Sequence, residues 1–460
     1  MPVCYVKCKS IKFASLFSLI KVSMLLVVIM QASIVWSAQV NSLPVIRVNA
    51  IDLKPLAAGL DIGRQTKVLF PDIEQRYDAH LKALLSQAQF EHIVRQQLPV
   101  LLKQLNESDR QELQGVRSAW SMVGKNQLGD GYLSADEYHV LNLLPELGIP
   151  PGGVGVGVFD QASAEQGSIV GRNLDWQHTP DLRAVQAIMV YEYPEQTVVN
   201  LGFAGMLGVL TGFNEQGLFI AYINAAPHTP YQQSSQVNSK THLSGFELRD
   251  VLRYRETLTS ALRVLSRTPF AVSHSLLLAD QDVVKVLEYS VGQKAQVRTW
   301  DSATRSGYAW NRVWQLAVVD CHVLPNIDDP CQHVQDQVRW QRLGALLNFH
   351  PTQPAHARSV ADILLDAVHR DVALLNDQTV QSQLYLPALQ HLYLSVRSEQ
   401  GAGLSSHQLY TDLIPGRLTA SINIVFVALL VLACLACAGV IWFARKTQVF
   451  AEVRTYFRDH

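Results

Sequence analysis

The sequence predicts a layered α+β protein, and three observations carry that reading. The first is helical spacing of apolar residues through much of the stretch from Ile51 to Leu147. The second is the break Pro150-Pro151-Gly152-Gly153, after which short alternating runs replace the helical pattern. The third is that later strands are interleaved with blocks of helix, which suits sheets covered by helices.

Taken in order, DAHLKALLSQ and FEHIVRQQLPVLLKQL read as helices. Ser134 followed by Glu137 resembles a capping box opening the helix DEYHVLNLLPEL. Asn126 to Glu137 also resembles a calcium loop, but Leu128 occupies a ligand position and the cap explains the same residues. Beyond the break, VGVGVFD, GSIVGRNLDW, AVQAIMVYEYP, QTVVNLGFAG and VLTGFNEQGLFIAYIN read as a strand series. Helical segments follow over Phe246 to Arg267 and through SHSLLLADQ, giving way to the strand VVKVLEYS. A further strand lies near Gln296 to Trp300. Helices are expected from Gln337 to Asn348 and near Val360 to Val368, then strands at VQSQLYLP and HLYLSV. No internal repeat appears.

The ends differ from the middle. Met24 to Trp36 is apolar, follows Lys7, Lys9, Lys12 and Lys21, and precedes Ser37 and Ala38. This reads as an export signal, either cleaved or kept as an anchor that starts near Phe13. Ile422 to Phe443 carries no charge, and roughly 20 such residues span a bilayer. Arg445, Lys446, Arg454 and Arg458 follow it, so the positive-inside rule expects a cytoplasmic tail and an outer main domain. The expected organisation is a signal segment at 1–38, a helical segment at 39–150, the main domain at 151–400, a linker at 401–421, a membrane helix at 422–443 and a basic tail at 444–460. The formal net charge of −1, with no basic run, argues against a nucleic-acid partner.

The outer region keeps two cysteines, Cys321 and Cys331, around an acidic loop. An oxidising compartment favours a disulfide between them. Zinc is the weaker alternative: His322 and His333 sit beside the sulfurs, but adjacent residues rarely face one ion and no fuller ligand set is visible. No cofactor and no metal are expected.

The most informative stretch is Gly171-Arg172-Asn173-Leu174-Asp175-Trp176. It resembles the signature of acid ceramidase, N-acylethanolamine acid amidase and the related acyltransferase-like C45 peptidases, which are N-terminal nucleophile hydrolases. Segments around Phe203 to Gly212, Asn224, FELRDVLRYRETLTSALRVLSRTP, Leu287-Glu288, Tyr308 to Asn311 and Thr379 to Leu394 are similar to that family in the same order. The resemblance spans about residues 130 to 400. It implies a four-layer αββα sandwich, with residues 39–150 standing where the pro-chain would be.

In that family a self-cleaving chain exposes a nucleophile, usually Cys, whose own amine can act as base. The resemblance implies that Arg172 and Asp175 flank this terminus, Asp175 holding the amine. It implies that Asn224 and Asn311 donate to the oxyanion, and that Arg339 and Trp176 contact substrate. The nucleophile is missing. It should fall near Gly153, or at Val156 if the loop DQASAEQG carries no insertion, and GIPPGGVGVGVFD contains no Cys, Ser or Thr. Ser163 and Ser168 lie beyond the first strand. The expectation is therefore a membrane-anchored domain that binds an amphiphilic N-acyl amide, lipid or peptide without cleaving it. The alternatives are a linear-amide hydrolase with an unrecognised nucleophile or activated water, and a membrane-tethered interaction module with no small ligand.

Overall fold

Two β-sheets dominate the molecule, a computed structural model that describes residues 42–225, 241–328, 333–368, 373–401 and 403–415. The strands are β1 (Val45–Asn49), β2 (Gly152–Val158), β3 (Ile169–Asp175), β4 (Gln186–Glu192), β5 (Thr197–Phe203), β6 (Thr211–Asn214) and β7 (Phe219–Asn224). They continue as β8 (His274–Ala279), β9 (Val284–Tyr289), β10 (Gln296–Arg298), β11 (Gln315–Val318), β12 (Thr379–Leu386), β13 (His391–Val396) and β14 (Gln408–Tyr410). The larger sheet has the order β1-β4-β5-β6-β7-β8-β9-β10, and the smaller has β11-β2-β3-β12-β13-β14. The described residues from Val45 onward belong to one compact unit.

The sheets pack face to face because β2 is built for close approach. In the run GGVGVGV a side chain at Gly155 would meet Leu277 and Ile223, and one at Gly157 would meet Val284, all from the larger sheet. Farther along, Tyr385 of β12 stacks on Phe213 of β6 with ring centroids 4.1 Å apart. The helices lie on the other faces. Leu343 and Leu364, from helices Val334–Leu346 and Ala357–Leu364, join Val156, Ile169 and Leu384 of the smaller sheet in one core. The second core joins the N-terminal helices and Ser244–Tyr254 to the larger sheet through Tyr77, Tyr138, Leu248, Met189 and Tyr222.

Most predicted elements form. The capping box at Ser134 and Glu137 opens helix Ala135–Asn142, and Asp130 accepts from Tyr132 N–H. Among the described residues no three His, Cys, Asp or Glu side chains group as metal ligands. One reading fails. SHSLLLADQ, expected as helical, is strand β8, paired antiparallel with β7 and β9. Flanked on both sides and buried throughout, it shows no alternation to separate it from a helix.

The N-terminal helical segment packs onto the larger sheet. Strand β1 pairs in parallel with β4 at the edge of the larger sheet. The hydroxyls of Tyr77 and Tyr138 donate to Ala204 O and Gly205 O, at 2.5 Å and 2.8 Å. No helix among the described residues is long and apolar enough to cross a membrane. The expected signal segment before Ala38, the membrane helix at 422–443 and the basic tail at 444–460 lie outside the described residues.

Candidate active site

Strands β2 and β3 run antiparallel in a register that sets Gly152 opposite Asp175 and Gly153 opposite Leu174. This end of the smaller sheet opens into a cavity of about 540 Å³ lined by Gly152, Asp175, Trp176, Asn224, Asp320 and Arg339, among others. The strand period places Arg172 and Asp175 on opposite faces of β3.

Arg172 points toward the larger sheet and is fully buried. It donates to Gly152 O at 2.6 Å, Thr211 Oγ1 at 3.0 Å and Asn173 O at 3.3 Å. Burial lowers its pKa to about 10, against the pull of Asp175 and Asp320, so it remains charged at neutral pH. Its role is to fix the first residue of β2 from beneath, and it is not among the residues lining the cavity.

Asp175 faces the helices. Its Oδ1 accepts from Thr379 Oγ1 at 2.7 Å, and its Oδ2 accepts from Asn376 Nδ2 at 2.8 Å and Arg339 Nη2 at 2.5 Å. Arg339 also reaches Asp320 Oδ2 at 3.2 Å, so one guanidinium bridges two carboxylates. Arg339 lines the cavity, but its donors are turned onto the protein. Its Nε donates to Ala373 O at 3.3 Å, and Nη2 also approaches Leu374 O at 3.4 Å. Burial works against its charge, yet Asp175 and Asp320 leave its pKa raised.

Asn224 ends β7, lines the cavity, and donates its backbone N–H to Pro151 O at 3.0 Å. Trp176 lines the cavity with one edge. Its indole is otherwise packed, donating to Ile149 O at 2.9 Å and tilting on Phe203. Asn311 is not brought into the site. It is exposed and precedes β11. That strand runs antiparallel to β2 with Gln315 opposite Val158 and Val318 opposite Gly155. The end of β11 that approaches Gly152 is therefore its last, and Asp320 lies two residues beyond it.

Asp320 is the functional residue the sequence reading missed. Its Oδ1 accepts from Gly153 N–H at 2.6 Å. A side chain added at Gly152 would collide with the same oxygen. The available signal was the apolar run Leu316 to Val319 followed by a carboxylate. Burial raises the Asp320 pKa to about 8, assisted by Asp336 and Asp175 and opposed by Arg339 and the Gly153 N–H. Between the ordinary carboxylate range and this value the folded protein holds a proton that the unfolded chain lacks. Stability from this group is thus full at low pH and lost as pH rises toward about 8. Asp320→Asn should flatten the decline in thermal midpoint between pH 5 and 8. An unchanged slope would assign the decline to other groups.

Neither expected nucleophile position is filled. Val156 is buried in β2, Gly153 has φ +125°, and no Cys, Ser or Thr is among the described cavity-lining residues. Ser168 is buried and donates to Asp280 O at 2.5 Å, while Ser163 bridges to Ala355. At this end of β2, Asn224 N–H donates to Pro151 O and Arg172 to Gly152 O. His322 faces backbone oxygens of Asp328 and His274, at 3.0 Å and 3.2 Å.

A comparison with protein-family profiles found no match, and one with curated proteins found none. Part of the chain is similar to solved structures. The Caenorhabditis elegans N-acylethanolamine-hydrolyzing acid amidase ortholog is 20% identical with a TM-score of 0.39, over 51% of this chain and 93% of its own. A mutant of conjugated bile acid hydrolase from Clostridium perfringens is 14% identical, TM-score 0.37, over 56% and 92%. Penicillin V acylase from Agrobacterium tumefaciens is 12% identical, TM-score 0.31, over 53% and 82%. At these scores and identities the likeness carries no argument about chemistry, so the functional reading rests on the site.

Proposed function

We propose that this chain is a ligand-binding relative of the amide hydrolases, which takes an N-acyl amide, lipid or peptide into the cavity at Gly152 and leaves it intact. The observation that carries this reading is the state of the first strand's end. Gly152 has no side chain, and Asp320 stands in the space one would fill. A hydrolase of the N-terminal nucleophile kind needs a nucleophile and a free amine on one residue. Here Asp175, which would hold that amine, is already bound by Thr379, Asn376 and Arg339. The cavity volume lies within the usual range for small-molecule sites.

A second reading has one observation in its favour. Asp320 is a buried carboxyl in the cavity wall with its pKa pushed up to about 8, and such groups can serve as acid or base toward water. We further propose that the domain is exported and tethered by the segment 422–443, which would hold the cavity near lipid headgroups. We also propose a disulfide between Cys321 and Cys331, which flank the short acidic loop.

The test is to incubate the full chain with a panel of N-acyl amides and follow bound ligand and product together. Gln378 is an exposed residue of the cavity wall. Gln378→Trp should fill part of the cavity and weaken binding about tenfold, equivalent to about 1.4 kcal/mol, with the fold intact. Binding unaffected by this substitution would place the ligand elsewhere.

A further inference from the structure

The last described residues leave the domain at one corner of the larger sheet. Leu413 and Ile414 are buried, and the guanidinium of Arg47 in β1 donates to Asp412 O at 2.8 Å and Leu413 O at 3.1 Å. The exit is thereby pinned beside β1. The helix Pro55–Leu69 follows β1 after residues 50–54 and returns along it, Gln65 Nε2 donating to Arg47 O at 2.8 Å. Its last turn therefore lies at the same corner, near Val45, where the chain enters β1.

That turn is apolar and open. Val68 is 80% exposed and Leu69 45%, although the other side of the helix is buried through Ala58, Ile62 and Thr66. Single apolar side chains on a surface are ordinary. These two are adjacent, and Arg64, one turn earlier on the Val68 side, is exposed as well. An apolar tip with a cation beside it suits the boundary between acyl chains and headgroup phosphates. The length of chain beyond the exit favours that occupant. Six residues, Gly416 to Ser421, separate Pro415, the last described residue, from the uncharged run Ile422 to Phe443. Fully extended, this link reaches about 25 Å, and the headgroup layer takes up about 5–7 Å of that. With the run in the bilayer, the corner that bears Val68 and Leu69 is held close to the lipid surface.

We infer that the helix tip at Val68 and Leu69 is a docking surface for the lipid headgroup region, seating the domain on the bilayer with this corner down. The inference rests on the membrane tether at 422–443 proposed above.

The test uses the full chain in vesicles of phosphatidylcholine and phosphatidylglycerol, doped with a phosphatidylcholine that carries a diazirine near its headgroup. After illumination, trypsin separates the tip, in the peptide Val68 to Arg76, from the far end of the helix, in the peptide Val48 to Arg64. Lipid adducts should form on the first peptide in about fivefold or greater yield than on the second, since only the tip enters the interface. Val68→Ser combined with Leu69→Ser should lower the first yield about fivefold, two apolar side chains having left the lipid, while the chain still resists extraction by carbonate. Equal yields on the two peptides, or a yield that the double variant does not lower, overturn the docking surface and leave the tether standing. A chain that carbonate releases from the vesicles overturns both. Cross-linking of two chains through Lys67, with no adduct at the tip, gives the surface to a second copy and overturns the inference as well.

Discussion

Replacing Arg339 with Met is expected to destabilise the protein by about 3–5 kcal/mol, the usual cost of removing one partner of a buried ion pair. The side chain sits between Asp175 at 2.5 Å and Asp320 at 3.2 Å, and all three groups are no more than one-tenth exposed. The loss should fall mainly on Asp175. Asp320 can take up a proton, since its pKa is already raised to about 8, whereas Asp175 would keep only Thr379 and Asn376 as partners. Two features separate this account from a simple packing loss. The deficit should narrow as pH falls through about 8, where Asp320 takes up its proton. Asp320→Asn should also be less damaging than Arg339→Met, because it leaves the Asp175–Arg339 pair in place. Urea unfolding at two pH values reads both, and a deficit independent of pH would refute the bridge as its cause.

Restoring a cysteine should fail, and the failure should differ between the two glycines. At Gly153 an added Cβ would lie against the carbonyl oxygen of Asn173, and φ is +125°. The obstacle is backbone and cannot rotate away, so Gly153→Cys should cost upward of about 2 kcal/mol from strain and overpacking combined. At Gly152 the obstacle is the Asp320 carboxylate, a side chain. Gly152→Cys should cost about 1–3 kcal/mol, and Asp320→Ala should relieve part of it, so the double variant is more stable than the two single effects predict. Additive effects would show that Asp320 does not occupy the space above Gly152.

The sequence carried the layered α+β class and the position of β3. It did so because strand alternation and the motif GRNLDW are local signals. What it could not carry was set by pairing between distant segments. Strand β8 looked helical because neighbours on both edges bury every residue. Asn311 was assigned to the site by position in a motif, whereas the antiparallel direction of β11 brings Asp320, two residues past its end, to Gly152 instead. The opposite orientations of Arg172 and Asp175 follow from a strand period of two, which three residues of separation already implied. That both arginines are consumed by internal acceptors required the geometry itself.

The central claim is that the cavity binds without cutting, either its ligand or its own chain. Intact-mass spectrometry of the full chain after incubation with the N-acyl amide panel tests both together. The account predicts one polypeptide, continuous across Pro151 and Gly152, and ligand recovered whole in the bound fraction. Fatty acid and amine released in amounts exceeding the protein, and abolished by Asp320→Asn, would contradict it and make the cavity a working hydrolase.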